Sequence, residues 1–301
     1  MRRWVLLVIA AVVAVGLAGV LFRSATGRCW PLCDDDTTTA APAASVPTTV
    51  PGSTVEALGV EVVATHPHDP TAFTQGLLVD DRGRLIEGTG LEGRSELRVV
   101  DLVTGVPSES VELPDDLFGE GVTQAGDRFI QLTWKDQTAL VWNAATLEQE
   151  GTLDYEGEGW GLCTDAPGTA DERLVRSDGS TTLTFHDADT FEETGTLDVD
   201  LDGQPVEELN ELECVDGDVW ANIWQTDTIV RIDLATGAVT GVVDAAGLLT
   251  PEELAGADVL NGIAKVPGSD TFYLTGKLWP TLFEVRFVPL VASPSTSGGA
   301  G

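Results

Sequence analysis

Five short stretches of this chain place a chemically capable residue at the same point, just ahead of a strand-like run. They are "FTQGLL", "FGEGVT", "GWGLCT", "NELECV" and "LNGIAK", and the shared slot holds Gln75, Glu120, Trp160, Glu211 and Asn261. Two carboxylates, two amides and an indole suit proton transfer if they meet, because apolar neighbours raise a carboxyl pKa towards neutral pH. Other readings compete. A glutamate between two glycines often sits in a surface turn, and polar rings often line a channel only to hold water. The same side chains would also suit a peptide-binding surface without chemistry, or a calcium-dependent hydrolase. Tryptophan weakens the calcium reading, since calcium takes oxygen ligands.

These slots can converge only if the elements carrying them repeat. "VVDLVTG", "VWNAATL", "FHDADTF" and "RIDLATG" each set Asp101, Asn143, Asp187 or Asp233 between two alternating segments, at spacings of 42, 44 and 46 residues. Asp and Asn open tight turns by bonding the backbone two residues on. The repeat is therefore a hairpin, and its period matches the four-stranded blade of a β-propeller, ~40–50 residues each. Residues 60–289 hold five such units at ~45 residues per blade. The expectation is an all-β, five-bladed β-propeller in which residues 60–65 supply the outer strand missing from the last blade, because an open ring leaves an unpaired edge. In that arrangement the five slots face one axial cavity.

The composition restricts partners. With 16 basic and 49 acidic side chains, the formal charge is −33. Nucleic acid is excluded as a partner, because phosphate binding needs Lys and Arg clusters. Hydrophobic residues make up 43%, enough for a sizeable core. Trp4 to Phe22 is an uncharged apolar run behind Arg2 and Arg3, long enough for a membrane anchor with the rest of the chain outside; a cleaved secretory signal is the alternative. The expected division is an anchor or signal (1–28), a Cys-containing and Thr/Ala/Pro-rich spacer (29–59), the propeller (60–289) and a tail (290–301). Cys163 and Cys214 each fall three residues after the slot, on neighbouring inner strands. Outside the cell such a pair oxidises, and a bridge would staple the third blade to the fourth. Cys29 and Cys33 would close a small loop, join two chains or carry lipid. "HPHD" offers His66 and His68 but no third ligand at a metal spacing, so no metal site is expected.

The ordered pieces "FTQGL", "FGEGVT", "LTW", "GWGL", "LNELE", "ANIW", "LNGIA" and "TGKLWPTLFEV" resemble the plant-type glutaminyl cyclases, which are five-bladed propellers. The resemblance covers the whole of 60–289 and implies conversion of N-terminal glutamine in peptides or proteins to pyroglutamate, without cofactor or metal, by a monomeric catalytic domain. It implies Glu120 as the proton shuttle. Lys277 and Asn210 are then the donors to the oxyanion. Gln75, Glu211 and Asn261 would hold the substrate, and Phe73, Phe118, Trp134, Trp160 and Trp224 would form walls that exclude water. Trp142, Trp220 and Trp279 fit packing within blades.

Overall fold

The computed structural model describes residues 55–290. The expected anchor, the spacer up to residue 54, the Cys29–Cys33 pair and the tail from residue 291 lie outside the described residues. Among the described residues, no helix is long and apolar enough to cross a membrane.

The described residues are all-β apart from one short helix, α1 (Pro251–Leu254). A long first strand, β1 (Glu56–Pro67), precedes a series of antiparallel four-stranded meanders. The first meander is β2 (Thr74–Val79), β3 (Leu85–Thr89), β4 (Glu96–Val100) and β5 (Pro107–Glu112). The second is β6 (Gly119–Ala125), β7 (Arg128–Thr133), β8 (Thr138–Asn143) and β9 (Gln149–Asp154). The third is β10 (Leu162–Asp165), β11 (Arg173–Arg176), β12 (Thr182–Asp187) and β13 (Glu193–Asp198). After the small hairpin β14 (Asp200–Leu201) and β15 (Gln204–Pro205) come β16 (Leu209–Val215), β17 (Asp218–Ile223), β18 (Thr228–Asp233) and β19 (Val239–Asp244). The last strands are β20 (Leu260–Lys265), β21 (Phe272–Gly276) and β22 (Thr281–Pro289). The starting strands β2, β6, β10, β16 and β20 contact one another in a closed cycle.

The repeated turn residues act as their chemistry requires. Asp101 Oδ1 accepts the N–H groups of Val103 and Thr104 at 3.0 and 2.8 Å. Asn143, Asp187 and Asp233 do the same, each bonding the amides two and three residues on. The side chain thus replaces the missing backbone partner and fixes where each hairpin reverses.

Closure falls to β1. Leu58 through Pro67 pair antiparallel with Pro289 through Thr281 on β22, while Glu56 through Gly59 pair in parallel with Gly241 through Asp244 on β19. The closing strand is therefore longer than the 60–65 read from the sequence. It begins at Glu56 and carries Leu58 into the core shared with Val243, Leu260 and Phe283. The extra residues serve a second edge, that of β19, which period counting does not see. His66 lies inside this strand.

The loop from β1 to β2 is locked by a buried charge cluster. Glu87 accepts from Thr74 Oγ1 at 2.6 Å and Arg98 Nε at 2.9 Å, and meets His68 Nε2 at 3.1 Å. His68 Nδ1 lies 2.7 Å from the Trp279 carbonyl, so both ring nitrogens act as donors and the imidazolium is favoured. Burial opposes that charge, and Glu87 overcomes it to hold the His68 pKa above its ordinary value. Burial likewise works against the Glu87 anion, yet His68 and Arg98 hold its pKa down to about 2. Both histidine nitrogens are thus occupied. Cys163 and Cys214 form a disulfide, with Cα atoms 5.5 Å apart, between β10 and β16.

The closure makes a clear test. A chain beginning at Val55 should melt with the full chain, whereas one beginning at His66 should lose thermal stability and aggregate through the exposed β22 and β19 edges. Equal melting temperatures for the two would mean that β1 does not close the ring.

Candidate active site

Four of the five starting strands break register at the slot. Thr74 pairs with Thr89 but Gly76 with Gly88, Gly119 with Thr133 but Val122 with Gln131, Leu209 with Ile223 but Leu212 with Ala221, and Leu260 with Gly276 but Ile263 with Leu274. Each bulge holds a slot residue, and a bulge re-aims the side chain it carries. The glycines around Glu120 are there for room. A Cβ on Gly121 would lie 2.6 Å from the Trp160 carbonyl oxygen, and one on Gly119 would lie 2.6 Å from that of Thr89. Glu120 therefore rides on a strand pressed between two neighbours and is 5% exposed, well away from any surface turn.

The slot residues divide into two jobs. Asn261 Nδ2 donates to Gln75 Oε1 at 3.3 Å and to the Thr74 carbonyl at 3.0 Å, and Gln75 Nε2 donates to Glu120 Oε1 at 3.2 Å. This amide relay holds one Glu120 oxygen. The other oxygen takes no hydrogen bond among the described residues. Glu211 is placed differently, because its Oε1 accepts Leu77 N–H at 3.2 Å and its Oε2 accepts Ile263 N–H at 2.8 Å. Both oxygens bind backbone, so Glu211 fastens β16 to β2 and β20. Gln75 bonds Glu120 directly, whereas Asn261 reaches it only through Gln75 and leaves its own Oδ1 without a partner among the described residues.

Aromatic rings form the walls. Phe73 meets Phe118 edge-on at 6.2 Å, and Phe118 meets Trp134 at 5.7 Å. Trp160 meets Trp224 edge-on at 5.5 Å. All five rings are half-buried. Trp142, Trp220 and Trp279 are buried in the sheet cores, away from these walls.

Lys277 follows β21 on a loop pinned by its own N–H to the Val259 carbonyl and by Leu278 N–H to that of Ala72. Its Nζ stands 4.8 Å from the Phe73 ring centre. Lys277 and Asn210 are buried, and neither side chain makes a hydrogen bond among the described residues. Burial raises the Glu120 pKa well above 4.5; the Lys277 charge opposes this and that of Glu158 adds to it. Burial pushes Lys277 down, and Glu120 and Asp258 push it back.

Two residues near Glu120 escaped the sequence reading. Tyr155 bonds the backbone of Thr133 through its hydroxyl, and burial lifts that phenol to about 12. Glu158 accepts the indole N–H of both Trp134 and Trp160. A cavity of about 380 Å³ lined by Phe73, Gly90 and Arg98, but not by Glu120, borders the site.

A family model described as glutamine cyclotransferase matches residues 36–287. The chain belongs to the glutamine cyclotransferase family. A glutaminyl-peptide cyclotransferase of Arabidopsis thaliana is 39% identical over 231 residues, covering 75% of this chain and 71% of that one. The crystal structure of Myxococcus xanthus glutaminyl cyclase matches with a TM-score of 0.70 at 42% identity, covering 79% of this chain and all of the other.

Within this family member, the two buried acids should respond differently to the same change. In Glu211→Gln the new NH₂ faces a backbone N–H that has no other acceptor, a loss of about 1–3 kcal/mol. Glu120→Gln keeps its bond from Gln75. Burial holds both carboxyls well above 4.5, so losing either brings the same kind of gain at pH 8, and the bond kept by Glu120→Gln should make it melt above Glu211→Gln. Thermal unfolding of both variants decides it, and equal losses would remove the distinction.

Proposed function

We propose that the chain converts N-terminal glutamine of peptides or proteins to pyroglutamate and ammonia at Glu120. One observation carries this reading. A buried carboxyl with one unoccupied oxygen shares an aromatic-walled site with the buried Lys277, whose ammonium lies over the Phe73 ring and has no hydrogen-bond partner among the described residues. The α-amine attacks the side-chain amide carbon within the same residue, so proximity is built into the substrate. Glu120 takes the proton that the amine loses as the C–N bond forms. Lys277 and Asn210 donate to the oxygen that becomes negative. Glu120 then delivers its proton to the departing nitrogen, the old C–N bond breaks, and ammonia leaves. Gln75, backed by Asn261, aims Glu120. Phe73, Phe118, Trp134, Trp160 and Trp224 keep out the water that would hydrolyse the amide.

The domain on this reading is a five-bladed β-propeller whose last blade is closed by β1, a reading supported by the closed cycle of starting strands and by the β1–β22 pairing. It works as a monomer, without nucleic acid, cofactor or metal, outside the cytoplasm on an anchor at residues 4–22. The apolar run supports the anchor and the Cys163–Cys214 disulfide supports the oxidising compartment. The calcium-dependent alternative needs the Glu211 oxygens, and these bind Leu77 and Ile263.

The purified protein should release ammonia from a Gln-initiated dipeptide equally with and without a chelator, and Glu120→Gln should lower kcat by at least ~10²-fold, the scale for a general acid–base group. Loss of activity on chelation, restored by zinc or calcium, would overturn the metal-free scheme. A kcat within a few-fold of the parent would remove Glu120 from its role.

A further inference from the structure

The five wall aromatics fall into two groups. Phe73, Phe118 and Trp134 make one run of ring contacts, and Trp160 with Trp224 makes another. Glu158, in the segment between β9 and β10, spans the gap. Its Oε2 accepts from Trp134 Nε1 at 2.7 Å and from Trp160 Nε1 at 3.1 Å, so a single oxygen holds one ring of each group. Its other oxygen lies 3.7 Å from Lys135 Nζ, and that ammonium caps the Trp134 ring at 3.7 Å from its centre.

The clamp is itself held on several sides. The Glu158 backbone carbonyl accepts from the Arg176 guanidinium, which packs on the Tyr155 ring. Trp160 is backed by Gly179, where an added Cβ would sit 2.7 Å from the indole. Hydrogen bonds to a carboxylate are shorter and stronger than neutral ones. One carboxylate with two indole donors therefore fixes the spacing of two rings that do not touch each other.

We infer that Glu158 is a positioning residue that sets the width of the aromatic slot in which the glutamine side chain folds back on its own amine. The inference rests on the proposed reaction at Glu120. Glu158 acts through the two indoles, and its charge also bears on Glu120. The charged or titratable groups that face Glu120 are Lys277 from the loop after β21 and Glu158 and Tyr155 from the segment after β9, with the neutral Gln75 from β2 in direct contact.

The test compares Glu158→Ala with Glu158→Gln in the full chain, using ammonia release from a Gln-initiated dipeptide and the indole N–H resonances of tryptophan-labelled protein. Glu158→Ala removes the shared acceptor, so KM should rise about 10-fold, the scale for two lost hydrogen bonds, and the Trp134 and Trp160 N–H signals should move. Glu158→Gln keeps an acceptor oxygen and should restore both KM and the two signals. Removing the negative charge lowers the Glu120 pKa, so the acid limb of kcat/KM should shift to lower pH in both variants. An unchanged KM or unmoved indole signals in Glu158→Ala would overturn the inference, as would Glu158→Gln matching Glu158→Ala in KM. A parent chain that releases no ammonia would refute the proposed reaction, and the indole signals would then decide the clamp on their own.

Discussion

Strands that converge on an axis turn backbone N–H groups inward where no ladder partner exists, and a buried unpaired N–H is costly. Here the bulges that re-aim the slot residues also free the amides of Leu77, Gly262 and Ile263. Glu211 answers two of these across the centre, and Asn222 Oδ1 answers Gly262 at 3.0 Å. Two residues further along the same strands, Glu213 accepts Lys265 N–H at 2.8 Å. Acids on β16 thus do for the axis what a partner strand does at an ordinary edge. The positions of Gln75, Glu120 and Asn261 depend on this, because β2 and β20 are held in place through Glu211.

With that fastening in place, Glu120 can be left incompletely satisfied. It sits buried with one neutral donor and with a lysine that affects its charge without an ion-pair contact within 4.0 Å among the described residues. A close Lys277 pair would pull the pKa down and leave a weak base, while burial alone would leave a carboxyl that rarely ionises. The balance between desolvation, the lysine and Glu158 suits the group that takes and returns a proton in the proposed reaction. The Glu87–His68–Arg98 cluster makes the contrast. There each charge meets its partner directly, and the result is a latch that keeps the Phe73 loop against the Trp279 turn.

Much of this was legible. The Asp101, Asn143, Asp187 and Asp233 turns gave the period because their side-chain bonding is local, and the slot alignment led to Glu120 and to the Cys163–Cys214 pair. What the sequence did not show depended on partners distant in the chain. Nothing in "NELEC" announces that both Glu211 oxygens meet the backbones of Leu77 and Ile263. Glu158 lies in a loop with no periodic pattern, and only the meeting of Trp134 with Trp160 gives it a role. The extension of β1 to Glu56 reflects the β19 edge, which pattern reading does not supply. One signal was present and unused. Gln75, Glu120, Trp160 and Asn261 are each followed by glycine, and glycine inside a strand marks a bulge or a close backbone approach.

The central claim is that burial holds the Glu120 carboxyl protonated well above its ordinary range. A carbon-13 NMR titration of the Glu120 side-chain carboxyl in the full chain, assigned by comparison with Glu120→Gln, reads this directly. The account predicts a midpoint well above the ordinary 4.5, rising further in Lys277→Met as the opposing charge is removed. A midpoint at or below 4.5, or one unmoved by the loss of Lys277, would contradict it.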